Sequence, residues 1–276
     1  MGWKSAVKAG GKLVTTDLLS SIKINGIRID VVERGTGAPL LFLHPGIGLD
    51  PASPVLDKLA SHARLIAPTH PGFGASEQPP AFDSVDDLAY FYLDLLDELD
   101  LKGATLVGVS LGGWIAAEMA VKSTARLARL VLANAVGIKV GARETRDIAD
   151  IFAMPDKEFN ERAYANPALG ARDYKAMADA DVRAAARNRE ATARYAWSPY
   201  MHDPKLKGRL HRIKIPTLFL WGDSDRILSE PYGRAYAGLI PGARFETVAK
   251  AGHFPHLEQA EEFARRVHAF MEGRSS

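Results

Sequence analysis

Ser110 stands in Gly108-Val109-Ser110-Leu111-Gly112, between an apolar run at 104–109 and a helical pattern at 114–121. A serine hydroxyl becomes an effective nucleophile only when a base takes its proton. A strand that turns abruptly into a helix brings two stretches of backbone close and strains the residue at the apex, so glycine is favoured on either side. The pentapeptide in this setting reads as a nucleophile elbow that lifts Ser110 off the end of a strand. The plain alternative is a glycine-rich turn that only packs strand on helix.

The base and its support lie downstream. His253 sits in Ala251-Gly252-His253-Phe254-Pro255-His256, just after an apolar run at 245–248. An imidazole that accepts a serine proton needs a carboxylate to fix its tautomer and to stabilise the imidazolium. The run at 217–221 ends in Gly222-Asp223-Ser224-Asp225, and chemistry alone does not separate the two aspartates. His253 and His256 have i, i+3 spacing, but no further ligand cluster completes a metal site, so no metal is expected. No phosphate-binding glycine signature occurs, and no cofactor is expected.

These side chains meet only if a sheet gathers their loops. Ile22 and Ile24, then Asn25-Gly26, then Ile27, Ile29 and Val31 alternate about a turn dipeptide and predict an antiparallel hairpin. Short apolar runs at 40–43, 65–67, 104–109, 130–132, 217–221 and 245–248 suit strands buried on both faces. Helical patterns separate them at 85–99, where Leu88, Tyr92, Leu95, Leu96 and Leu99 share one side, and at 114–121, 232–239 and 263–271. The alternation predicts an α/β fold, a mainly parallel sheet of about eight strands with helices on both faces. Its active site belongs at the strands' carboxyl ends. Residues 138–211 break the rhythm with Ala- and Arg-rich helical sequence, for example at 181–197, and predict an inserted helical cap. Residues 1–137 and 212–276 are then the core.

The chain has 276 residues, 47% hydrophobic and 25% charged, which allows one large domain with an insertion. Its formal net charge is +2 and it shows no basic stripe, which argues against a nucleic-acid partner. A small-molecule substrate is the expected partner. With no cysteine, disulfides, thiolate nucleophiles and Cys-based zinc sites are excluded. The amino-terminal residues lack the apolar stretch of a secretory signal, and the longest largely apolar stretch, 105–121, is broken by Ser110, glycines and Glu118. A cytoplasmic protein without a membrane span is the expectation.

Taken together, His44-Pro45-Gly46, Pro71-Gly72-Phe73-Gly74-Ala75-Ser76, the elbow, Trp221-Gly222-Asp223-Ser224-Asp225 and Ala251-Gly252-His253-Phe254-Pro255-His256-Leu257-Glu258 resemble the α/β-hydrolase superfamily. The motifs run from 40 to 258, and the chain order Ser, Asp, His is that of the superfamily. The resemblance implies a triad of Ser110, Asp225 and His253, because the pattern Trp-Gly-x-x-Asp falls on Asp225. It also implies an oxyanion hole built from the amide of Leu111 and a second amide in the loop after an early strand. Relatives usually show His-Gly where this chain has His44-Pro45, and proline has no N–H to donate. Gly46 is therefore the first choice and Ile47 the second. His44 is then structural, and His70, where relatives often carry Asp, is expected to affect loop structure only.

Serine at the elbow argues against the epoxide hydrolases and haloalkane dehalogenases of the superfamily, which use a carboxylate nucleophile. The resemblance implies a carboxylesterase that cleaves small acyl esters through an acyl-enzyme. The alternatives are hydrolysis of a carbon–carbon bond in a vinylogous diketone acid, a perhydrolase or haloperoxidase-like activity, and a triad-bearing receptor for a small signal molecule. Carbon–carbon hydrolases typically carry Trp after the triad histidine, where this chain has Phe254. In the cap, Tyr195, Trp197 and Tyr200 are candidate substrate contacts, and residues 182–212 hold eight Lys or Arg against two Asp or Glu. That excess reads either as a solvated helix face or as a cationic rim that attracts a substrate carboxylate.

Overall fold

A computed structural model describes residues 19–274; residues 1–18, on which the expectation about a secretory signal rests, lie outside them. The hairpin forms as its turn dipeptide requires. Strands β1 (Ser20–Ile24) and β2 (Ile27–Arg34) pair antiparallel across Asn25 and Gly26, whose φ angles of 48° and 82° match a primed turn. The six apolar runs become β3 (Pro39–Leu43), β4 (Arg64–Pro68), β5 (Ala104–Val109), β6 (Leu127–Ala133), β7 (Thr217–Gly222) and β8 (Arg244–Val248). All eight strands form one sheet in the order β1-β2-β4-β3-β5-β6-β7-β8. Strand β2 meets β4 antiparallel, and every later pairing is parallel.

Alternation along the strands divides the core in two. Leu41, Leu43, Leu106, Phe219 and Trp221 join one apolar cluster with α2 (Val85–Glu98), α3 (Leu111–Lys122) and α6 (Glu230–Ala237). Leu40, Phe42, Val107, Leu218 and Leu220 join the other with α1 (Pro54–Ala60) and α8 (Ala260–Met271). Neighbouring residues of one strand thus face opposite layers, as a period of two dictates. Helix α2 starts where Ser84 and Asp87 cap each other's amides, at 3.3 and 3.0 Å.

Between β6 and β7 the chain leaves the sheet. It forms α4 (Asp156–Ala163), a 3-10 turn at Pro167–Gly170 and α5 (Asp179–Ala196). No named strand lies there; Gly137 and His202 make only an isolated bridge. Helices α1, α4 and the one-turn α7 (Pro255–Glu258) escape sequence reading because seven, eight and four residues are too few to establish a period. No helix among the described residues is long and apolar enough to cross a membrane.

Candidate active site

Strand β5 ends at Val109 and α3 begins at Leu111, so Ser110 alone makes the turn. Its φ of 53° and ψ of −113° are strained for a residue with a side chain. The surrounding bonds enforce them: Ser110 N donates to the Ala133 carbonyl at 2.9 Å, and Trp114 N donates to the Ser110 carbonyl at 3.1 Å. A Cβ at Gly108 would collide with the Gly112 carbonyl, and one at Gly112 with the Leu43 carbonyl. The flanking glycines are therefore required by close backbone approach.

The loops after β5, β7 and β8 converge at one end of the sheet. His253 Nε2 lies 2.8 Å from Ser110 Oγ, and His253 Nδ1 lies 2.8 Å from Asp225 Oδ2. All three residues are buried. Asp225 Oδ1 accepts the amides of Ile227 (2.8 Å) and Leu228 (3.0 Å), and Oδ2 also accepts Asn134 Nδ2 at 2.7 Å. A carboxylate surrounded by donors is held as an acceptor, so Nδ1–H donates to it and Nε2 is left to accept the serine proton. Asp223, two residues earlier, is exposed and ties its own loop by accepting Ser224 Oγ at 2.8 Å and Lys250 N at 3.1 Å. Geometry thus separates the two aspartates that residue chemistry leaves open.

Asn134 is the residue that sequence reading missed. It follows β6 with φ of 42°, donates to Asp225 and accepts the Gly222 amide at 3.2 Å through Oδ1. A lone polar residue at the end of an apolar strand is its only signal, and many turns give the same one.

His256 has no part in this arrangement. It is buried against Phe42, Phe254 and Phe263, its Nδ1 has no hydrogen-bond partner among the described residues, and burial pushes its pKa down to about 3. No group of three or more side chains among the described residues gathers as metal ligands do.

The loop after β3 carries Gly46 and Ile47 to the serine. Gly48 N donates to the Pro45 carbonyl at 3.0 Å, which makes a tight turn with Gly46 and Ile47 at its centre. Neither central amide has a protein partner among the described residues, and both residues share a cavity wall with Ser110 and Leu111. From the core side, His44 Nδ1 donates to the Pro45 carbonyl at 2.7 Å while its Nε2 accepts the His70 amide at 3.0 Å. His70 stacks on His44 with 3.6 Å between ring centres, donates from Nε2 to the His44 carbonyl at 2.8 Å and accepts Tyr92 Oη at 2.6 Å. Burial pushes the His44 pKa down to about 4, and burial, then the neighbouring His44, lowers that of His70. Through these bonds both rings brace the backbone of the loop at 44–48.

A cavity of about 280 Å³ opens above Ser110 and His253. Its walls are mainly apolar, with Ile148, Phe152, Phe159, Val182, Met201 and Phe254 among them. The three aromatic candidates are corrected here: Tyr195, Trp197 and Tyr200 do not line it. Tyr195 is buried beside Phe73 and donates to the Pro71 carbonyl at 3.1 Å. Tyr200 donates to the Ala149 carbonyl at 2.7 Å, and Trp197 stands largely exposed, edge-on to Phe152. Position along the helix explains the difference: Tyr195 shares a face of α5 with Asn188 and Thr192, at i+7 and i+3, but lies farther along the axis, over the loop at 71–78, whereas Asn188, Arg189 and Thr192 line the cavity. Of the basic residues in 182–212 only Arg189 lines the cavity. Arg187 donates to the Ser76 carbonyl, Arg194 pairs with Glu190 and Arg212 donates to the Val121 carbonyl. Arg172, outside that run, also lines the cavity.

A strained serine bonded to an imidazole that is bonded to a carboxylate, at the carboxyl ends of parallel strands, defines the class of serine-nucleophile hydrolase sites. The model of the Alpha/beta hydrolase family matches residues 40–266, and the chain belongs to that family. It is 27% identical to a 2-hydroxymuconate semialdehyde hydrolase of Pseudomonas sp. (strain CF600), over 89% of this chain and 91% of that one. It is 25% identical to a 2-hydroxy-6-oxo-2,4-heptadienoate hydrolase of Pseudomonas putida (strain F1), over 94% and 98%. Among solved structures, a meta-cleavage product hydrolase of Pseudomonas fluorescens IP01 superposes with a TM-score of 0.71 at 21% identity, over 92% of this chain and 97% of that one. A bromoperoxidase of Bacillus anthracis does so with 0.72 at 22%, over 92% and 99%. The protein is a hydrolase of this fold.

Proposed function

We propose that this hydrolase is a carboxylesterase whose catalytic residues are Ser110, His253 and Asp225. The observation that carries this reading is His253, bonded at 2.8 Å to both the serine and the aspartate at the floor of an apolar cavity. Ser110 Oγ attacks the acyl carbon as His253 Nε2 takes its proton. The amides of Leu111 and Gly46 receive the negative charge that develops on the carbonyl oxygen. Collapse of the tetrahedral intermediate expels the alcohol, which leaves with the proton from His253. Water then repeats the sequence on the acyl-enzyme, releasing the acid and restoring Ser110. Residues 138–211 serve as the cap that shields the cavity from solvent. The reaction needs no cofactor.

A second reading is favoured by the two Pseudomonas relatives, which align over nearly their whole length and are named for substrates of the dienoate or semialdehyde type. In it, the same triad cleaves a carbon–carbon bond of a vinylogous diketone acid, and Arg172 or Arg189 meets the substrate carboxylate. Phe254 in place of the Trp typical of that group weighs against it. The test is kcat/KM for p-nitrophenyl acyl esters and for a 2-hydroxy-6-oxo-dienoate, in the wild type and in Ser110→Ala. Ser110-dependent ester turnover, with kcat/KM above that for the dienoate, is expected. A dienoate preferred by about tenfold or more would replace the first reading with the second.

A further inference from the structure

We propose that Asn188 and Thr192 of helix α5 are positioning residues that complete the oxyanion loop from the cap side; this rests on the Ser110 acyl-transfer reading above. The loop presents three successive carbonyls. That of Pro45 is held from the core, by His44 Nδ1 and Gly48 N. The next two are held only by α5: Thr192 Oγ1 donates to the Gly46 carbonyl at 2.8 Å, and Asn188 Nδ2 donates to the Ile47 carbonyl at 3.0 Å. No other group among the described residues donates to either oxygen.

A peptide group is planar, so a bond that fixes a carbonyl also fixes the N–H of the following residue. His44 thereby aims the Gly46 amide, Thr192 aims the Ile47 amide, and Asn188 holds the peptide after it. The packing is close as well as polar. A Cβ on Gly46 would crowd Thr192, and one on Gly48 would collide with the Asn188 amide. Asn188 also binds a second loop, the one after β4, since its Oδ1 accepts Gly74 N at 2.9 Å. Thr192 is buried and its hydroxyl lies 2.8 Å from the Asn188 carbonyl too, so one proton is shared between the helix and the loop. Seating of α5 therefore fixes the two peptides that follow the Gly46 amide, so the oxyanion loop is held from the core at its start and from the cap beyond it.

The test uses a small neutral p-nitrophenyl ester and a phenylboronic acid, which forms a tetrahedral adduct on a reactive serine and places an oxygen in the oxyanion hole. Thr192→Val and Asn188→Ala should each lower kcat by about 10–100-fold and raise the boronate Ki in parallel, with KM within about threefold. Thr192→Ser, which keeps the hydroxyl, should stay within about threefold of wild type. The double variant should lose less than the product of the single losses, because both side chains hold one loop. Variants with kcat and boronate Ki unchanged, or with KM raised at constant kcat, overturn the inference, the latter by making these residues substrate contacts. Fluorophosphonate labelling of the wild type and of Ser110→Ala keeps the two levels distinct. Labelling that survives in Ser110→Ala removes the Ser110 reading and this inference together. Labelling that depends on Ser110, with kinetically silent Asn188 and Thr192 variants, removes this inference alone.

Discussion

Asn134 Nδ2 donates at 2.7 Å to Asp225 Oδ2, the same oxygen that faces His253 Nδ1 at 2.8 Å. Through Oδ1 it also takes the amide of Gly222, the last residue of β7, so one side chain joins the ends of β6 and β7 beneath the imidazole. Asn134→Ala leaves the Gly222 amide and one carboxylate lone pair unsatisfied in a buried place. A stability loss of about 1–3 kcal/mol is expected from urea unfolding. Steady-state kinetics should show kcat about tenfold lower, as Asp225 loses one of the bonds that orient it. A variant with unchanged kcat would confine Asn134 to a packing role.

The two aspartates after β7 should differ sharply. Asp225→Asn presents an amide to His253 Nδ1 and to three existing donors, which favours the wrong imidazole tautomer, and a kcat loss of about 10⁴ is expected. Asp223→Asn keeps an acceptor oxygen for the Lys250 amide, and the Ser224 hydroxyl can turn to accept the new amide N–H at this exposed site, so kcat should stay within about threefold. Measuring both on one ester decides the matter, and comparable losses would contradict the geometry.

Which parts of the site were legible in sequence follows from where the information lies. The elbow, the Asn25-Gly26 turn and the six apolar runs declare themselves in consecutive residues, because local backbone geometry and burial between two layers demand them, although the edge strand β8 buries only Val248 fully. Resemblance to the α/β hydrolases selects Asp225 over Asp223, and Asp225 is the one whose Oδ2 lies 2.8 Å from His253 Nδ1. The cavity walls were not legible. Tyr195, Trp197 and Tyr200 are aromatic and lie in the right segment, whereas the angle at which α5 settles on the loops at 44–48 and 71–76 decides which of its turns lies over the cavity. That angle depends on contacts between residues more than 100 positions apart, such as Asn188 with Ile47.

The buried histidines give the fold a defined pH dependence. His44 and His256 have folded pKa values of about 4 and about 3, against 6.5 for an unhindered histidine, and burial is the first cause in both. Between about pH 4 and 6.5 the unfolded chain binds more protons at these sites than the native one, so stability rises with pH there. It is lost as pH falls below 6.5. The slope from this pair approaches two protons, about 2.7 kcal/mol per pH unit, and His70 acts in the same direction. Urea midpoints at pH 7.5, 6 and 5 should show the decline. His256→Leu removes one titrating group and an unpartnered buried nitrogen, so its decline should be shallower, with kcat within about threefold of wild type. Parallel curves for the two proteins would contradict the assignment.

The reading of Ser110 as the nucleophile is tested most directly by mapping where a fluorophosphonate probe attaches. Peptide mass mapping of the treated wild type should place one adduct on Ser110, and Ser110→Ala should take up none while its kcat on the best ester falls by about 10⁴–10⁶. An adduct on another residue, or equal uptake by the pure Ser110→Ala variant, would contradict it.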